Sequence, residues 1–204
     1  MEGMFTVFLV DDDPGVLKAL SRLLRSRGRE VRSYVSPQEF LADHDATMPG
    51  CAVLDVAMPG LDGLALQQAL SDQGPPRPII FITGKGDVPT SVRAMKAGAI
   101  DFLTKPVGGD ELLAAIGRAE EIDAKSRQTT AELAAIEARL TTLTPREREV
   151  LTHVVAGRLN KQIAGDLGTV EKTIKVHRSR MMDKLGVRSV ADLVRMAERA
   201  GISK

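Results

Sequence analysis

Apolar residues come in short β-prone blocks along the first half of the chain. The blocks alternate with stretches where apolar positions return every three or four residues. The blocks at 5–10, 30–35, 51–54, 78–83 and 100–103 predict strands. The intervening stretches predict helices, the first starting near Pro14 with Asp13 as its cap. Val16, Leu20, Leu23 and Leu24 would form its buried face, and Gly28 would end it. Further helices fit 36–43, 62–72, 87–97 and 110–122, punctuated by Gly60, Gly74-Pro75-Pro76 and Gly98. Five β-α units in this order predict an α/β domain built on a doubly wound, five-stranded parallel sheet.

The pattern changes after residue 118. Residues 118–142 lack Gly and Pro, and Leu133, Ile136, Leu140 and Leu143 recur at helical spacing. They read as a long linker helix, the alternative being a flexible tether. From Leu143 onward the pattern is helical throughout. Thr144-Pro145-Arg146-Glu147 combines a cap, a proline at the first helical position and an early acid. Val150, Leu151, Val154 and Val155 form that helix's apolar face before Gly157. A short helix follows at 160–167, then a third at 171–185 and a fourth at 189–200. A short helix, a glycine-containing turn and a basic second helix describe a helix-turn-helix. The expected domains are therefore 1–122, a linker at 123–142, and an all-α four-helix domain at 143–204.

Charge separates the two ends. Residues 1–143 hold 15 Lys/Arg against 20 Asp/Glu, a net of −5, while residues 144–204 hold 13 against 7, a net of +6. The basic end is expected to face a polyanion. The single cysteine, Cys51, excludes an intramolecular disulfide and suits a reducing cytoplasm. No signal peptide is recognised, and no apolar run approaches the ~20 residues of a spanning helix.

The acidic half carries a chemical constellation. The first strand runs into Asp11-Asp12-Asp13 and the third into Asp55. In open α/β sheets ligands bind at the carboxyl ends of strands. Clustered carboxylates there suit a hard cation, Mg²⁺ or Mn²⁺. The fourth strand runs into Thr83 and the fifth into Lys105-Pro106. A carboxylate, a hydroxyl and an ammonium around a metal can move a phosphoryl group through an aspartyl phosphate.

These residues carry a resemblance. The paired acids, Asp55 within Leu-Asp-Val-Ala-Met-Pro-Gly, Thr83-Gly84 and Lys105-Pro106 make residues 1–122 similar to the receiver domain of bacterial two-component response regulators, a flavodoxin-like fold. The resemblance implies that Asp55 accepts phosphate from a sensor histidine kinase. It implies a Mg²⁺ held by Asp12, Asp55 and the backbone carbonyl of Ala57, with Asp11 helping through water. Thr83 and Lys105 would hold phosphoryl oxygens, Thr83 and Phe102 would act as switch residues, and the Lys105-Pro106 bond would be cis. The chain departs from FixJ-type relatives, which often carry His and Arg where it has Lys85 and Ala57. Both positions flank the phosphoryl group in the family and bear on its lifetime.

Residues 143–202 resemble the LuxR/FixJ/NarL-type DNA-binding domain through Leu143–Leu151, Asn160-Lys161-Gln162-Ile163-Ala164, Lys172–Arg178 and Lys184-Leu185. The resemblance implies that 171–185 is the recognition helix. Lys172, Lys175, Val176 and Ser179 share one helical face. By analogy Lys175, Val176 and Ser179 are the base-edge candidates. His177, Arg178, Arg180, Asn160 and Lys161 read as phosphate-contact or packing residues. Relatives commonly place Ser before this helix; here Val170 cannot cap, and Thr169 is expected to substitute. Val190, Leu193 and Val194 are the dimerisation candidates, the alternative being core, with Leu193 and Val194 expected to divide between the two.

The expectation is a cytoplasmic response regulator, catalysing only its own phosphotransfer and dephosphorylation. Its implied partners are a sensor kinase, double-stranded DNA and a second copy of itself, with RNA polymerase a further candidate. A small-molecule phosphatase is the enzyme-class alternative, disfavoured by the helix-turn-helix segment.

Overall fold

The computed structural model describes residues 4–72, 77–84 and 88–202. The chain divides into two compact units, Met1–Arg127 and Gln128–Lys204.

The first unit alternates β1 (Thr6–Val10), α1 (Pro14–Ser26), β2 (Glu30–Tyr34), α2 (Pro37–Asp43), β3 (Gly50–Asp55), α3 (Gly63–Asp72), β4 (Ile79–Thr83), α4 (Val88–Lys96) and β5 (Asp101–Thr104). It closes with the first part of α5 (Gly109–Thr141). All strand pairs are parallel, in the order β2-β1-β3-β4-β5. β1, β3 and β4 are buried throughout, as a sheet covered on both faces requires. Side chains alternate between faces. Val7, Leu9, Val53 and Ile80 pack with Leu17, Leu20, Leu24, Leu112 and Ile116 of α1 and α5. Phe8, Val10, Leu54 and Phe81 pack with Phe40, Leu66 and Ala94 of α2, α3 and α4. Cys51 is fully buried in β3, and burial pushes its thiol up to about 12.

Helix α1 starts as expected, with the Asp13 carboxylate accepting from the Gly15 N–H at 2.7 Å. Its buried face is rotated from the expected one. Leu17, Leu20 and Leu24 are buried, while Val16 and Leu23 lie half-buried at the edges. Gly63 is required by close approach, since a Cβ there would lie 2.4 Å from the Asp55 carbonyl oxygen. That contact sets the start of α3 against the end of β3.

Helix α5 is continuous for 33 residues, so the tether alternative is not what forms. Its polar residues Asp123 and Arg127 are not simply solvated. The buried Asp123 accepts from the Gly50 N–H at 3.3 Å and from Arg127 Nε at 2.8 Å. Arg127 also donates to the carbonyls of Ala46, Thr47 and Met48. These contacts hold the helix to the α2–β3 loop.

The second unit comprises the remainder of α5 with α6 (Pro145–Val155), α7 (Asn160–Asp166), α8 (Glu171–Leu185) and α9 (Val190–Arg199). Ile136, Leu143, Val150, Leu151, Val154, Ile163, Ile174, Met181, Leu185, Leu193 and Met196 form its core, with Leu140 packed against it. Leu133 departs from the expected stripe and is 36% exposed. Thr144 and Glu147 form a reciprocal capping box at the start of α6. Gly186, at φ +66°, ends α8 in the left-handed conformation favoured by glycine.

Candidate phosphoryl-transfer site and nucleic-acid interface

The strand order reverses direction between β1 and β3, and the ends of these two strands carry the acids. Asp11 and Asp55 are buried, at 1% and 6% exposure, whereas Asp12 is exposed. One carboxylate oxygen from each of the three lies within 4.8 Å of the others. Lys105 joins two of them: its Nζ lies 2.6 Å from Asp11 Oδ2 and 3.0 Å from Asp55 Oδ2. The Lys105 N–H donates to the Thr83 carbonyl at 2.7 Å, which sets Lys105 beside β4. The Lys105-Pro106 bond is cis.

Charge balance organises the cluster. Burial raises the Asp11 pKa, and the hydrogen bond from Lys105 and that from the Asp13 N–H only partly oppose it. Burial works against the Lys105 ammonium, but its hydrogen bonds to Asp11 and Asp55 outweigh that, and its pKa is raised. Three carboxylates with one ammonium leave net negative charge at these strand ends. Their oxygen donors suit a divalent cation of the hard class.

Of the other expected site residues, Thr83 is buried at 1% exposure, and the exposed Ala57 donates its N–H to Asp55 Oδ1 at 3.4 Å. Phe102 is half-buried, its ring centroid 6.2 Å from that of Phe81. Asp11, Asp12, Asp55 and Lys105 therefore come together, with Thr83 one strand away. Lys85 lies outside the described residues.

In the second unit, Lys172, Lys175, Val176, Ser179 and Arg180 are exposed on α8, opposite the buried Ile174, Met181 and Leu185. Lys175 is paired with Glu171 one turn earlier at 3.4 Å. Arg178 Nη1 donates to Asn160 Oδ1 at 3.0 Å, joining the two helices of the helix-turn-helix, and Lys161 is exposed beside it. His177 is half-buried.

Two expectations are corrected. Thr169 does not cap α8, whose cap position is Val170 with no side-chain hydrogen bond. Helix α7 is half-capped: Gln162 accepts from the Leu159 N–H at 2.9 Å, but leucine has no acceptor to return the bond. Leu193 is fully buried in the core and presents no surface for dimerisation, leaving Val190, exposed, and Val194, half-buried. The cause is helical phase, because Leu193 shares its face with Met196 and Ala197.

The sequence reading missed one arrangement. The buried Glu147 carboxylate accepts from Lys184 Nζ at 2.6 Å, tying the start of α6 to the end of α8. The Lys184 bond and the Thr144 N–H hold its pKa at about 2. The capping-box motif marked Glu147, but nothing local marked its partner 37 residues away.

A parallel sheet with acids at its switch point, joined to a basic helix-turn-helix, defines a receiver coupled to a DNA-binding domain. Residues 7–117 match the response regulator receiver domain family, and residues 141–197 match the bacterial regulatory proteins of the luxR family. Nodulation protein W of Bradyrhizobium diazoefficiens is 46% identical over 197 residues, spanning 97% of this chain and 87% of that protein. Response regulator protein TodT of Pseudomonas putida is 44% identical over 193 residues, 95% of this chain and 85% of that protein. Among solved structures, response regulator StyR gives a TM-score of 0.85 at 45% identity, covering 97% of this chain and all (100%) of that one. Full-length FixJ from B. japonicum gives 0.58 at 39% identity, covering 99% and 100%. The chain belongs to the two-component response regulators that join a receiver to a LuxR-type DNA-binding domain. This family role is transcription regulation, with a sensor kinase and DNA as partners. Among the described residues, no helix is long and apolar enough to cross a membrane.

Proposed function

We propose that Asp55 is the phosphoacceptor and that its phosphorylation controls dimerisation and sequence-specific DNA binding. The observation that carries this is the convergence of Asp11, Asp12, Asp55 and Lys105 at the carboxyl ends of β1, β3 and β5. A carboxylate oxygen of Asp55 attacks phosphorus. The bond from phosphorus to the kinase imidazole nitrogen breaks, and that nitrogen keeps the electron pair. Asp11, Asp12, Asp55 and the Ala57 carbonyl would hold a divalent cation, Mg²⁺ or Mn²⁺. Bound there, it supplies positive charge that offsets the crowding of acids and of the incoming phosphoryl oxygens. Lys105, already hydrogen-bonded to Asp55, shifts to a phosphoryl oxygen, and Thr83 offers its hydroxyl to another. Turning Thr83 inward opens space for Phe102, which biases the surface of α4, β5 and the first part of α5 toward pairing.

In the second unit, α8 reads the major groove through Lys172, Lys175, Val176 and Ser179. Arg178, His177, Asn160 and Lys161 contact phosphates or brace the helix. Val190 and Val194 are the remaining apolar dimer candidates on α9.

The test is incubation with Mg²⁺ and acetyl phosphate followed by intact mass and peptide mapping. Wild type should gain one phosphoryl group on the peptide containing Asp55. Asp55→Asn should gain none at the wild-type rate, and equal modification of that variant overturns the assignment. Lys105→Ala should retain cation binding and respond poorly to phosphorylation.

A further inference from the structure

Helices α1, α2, α6 and α9 open on side chains that accept a backbone N–H: Asp13, Ser36, Thr144 and Ser189. Helix α8 opens on Val170, which has no acceptor, and Thr169 does not supply one. Val170 is also 65% exposed, so its isopropyl group serves neither as cap nor as core. Serine at this position would satisfy a first-turn amide, whereas valine in water gains nothing. The residue is therefore less stabilising than a simple alternative, and the place of such a departure in the fold decides whether it serves a function.

Its place in the fold says which function. The first residues of the second helix of a helix-turn-helix approach base edges. The apolar feature of the major-groove edges is the 5-methyl group of thymine. A β-branched side chain is stiff and presents a fixed apolar shape. Lys172 lies two residues further on and is exposed, and Val176 is 43% exposed on the next turn, so the leading end of α8 mixes cations with aliphatic groups. Cations alone favour any phosphate; aliphatic groups discriminate.

We propose that Val170 is a specificity-determining residue that packs against the 5-methyl group of one thymine in each half-site. This rests on the reading that α8 enters the major groove. Leu159 supplies the internal control. It is 69% exposed and opens α7 without a side-chain cap, but α7 is the first helix of the motif, which crosses the backbone and meets no base edges.

The test uses the full chain and a pool of randomised duplex DNA, with selected wild-type sequences resynthesised carrying single thymine-to-uracil replacements. Uracil pairs as thymine does but lacks the methyl group. Wild type should lose about fourfold in affinity at one position per half-site, the value of one buried methyl. Val170→Ser should lose that dependence there while melting no lower than wild type, because the new hydroxyl caps the helix. Should Val170→Ser fail to fold, Val170→Ala gives the same comparison without the cap. Leu159→Ser should keep the wild-type uracil profile. The inference is overturned if Val170→Ser or Val170→Ala keeps the wild-type profile at every thymine, or if Leu159→Ser erases the same position. It is equally overturned if wild type selects a sequence yet shows no uracil effect. If wild type selects no sequence, the groove-reading role of α8 itself fails.

Discussion

Replacing Glu147 by Gln should destabilise the DNA-binding unit in a pH-dependent way. Glu147 is 3% exposed, hydrogen-bonded to Lys184 Nζ at 2.6 Å and to the Thr144 N–H at 2.9 Å, and its pKa is held at about 2. The ordinary glutamate value is 4.5. A folded pKa below the unfolded one stabilises the fold above the unfolded pKa, and that contribution is lost as pH falls through the folded pKa. The full difference would correspond to about 3 kcal/mol. Lys184 is 35% exposed, so water screens the pair, and about 1–3 kcal/mol is the expected range. Glutamine keeps an acceptor for the Thr144 N–H but removes the charge. Urea unfolding of residues 128–204, followed by far-ultraviolet circular dichroism, should show this loss undiminished from about pH 7 to pH 5 and reduced by more than half near pH 3. Lys184→Met should remove most of the sensitivity to Glu147→Gln, because the two act as one pair. A loss that stays constant across this pH range would refute the argument.

Three further outcomes are expected. A fragment starting at 128 should be more stable than one starting at 143 by about 2–4 kcal/mol, the value of burying Ile136 and Leu140, and equal urea midpoints would contradict the packing of α5 on this unit. Arg127→Ala should cost the receiver about 2–3 kcal/mol by removing the guanidinium hydrogen-bonded to the buried Asp123; fluorescence of Tyr34, the sole tyrosine in a chain without tryptophan, reports this unit alone, and an unshifted transition would disprove the clamp. Lys175→Ala should weaken operator binding by about 1–3 kcal/mol and relax preference at one base pair, whereas uniform weakening with a shallower salt dependence would make Lys175 a phosphate contact.

Features set by local pattern were legible in the sequence. Apolar blocks such as Phe8-Leu9-Val10 and Ala52-Val53-Leu54 end abruptly at acids, so strand ends and carboxylates were located together. Asp13 and Thr144 were recognisable as caps because cap chemistry is local. Features set by tertiary placement were not. Leu193 and Val194 are adjacent and equally apolar, and only packing decides that one is buried and the other half-exposed. Asp123 and Arg127 stand at i, i+4 spacing, which marks an ion pair but not the loop it fastens. Val170 was visible as a poor cap, but its exposure was not.

The central claim is that phosphorylation of Asp55 governs DNA binding. The most direct measurement is titration of a selected operator duplex with full-length protein, with and without acetyl phosphate and Mg²⁺, alongside sedimentation of the same samples. Wild type should gain affinity and dimer population together on addition of the phosphodonor, and Asp55→Asn should gain neither. Equal operator affinity of wild type in the phosphorylated and unphosphorylated states would contradict the account.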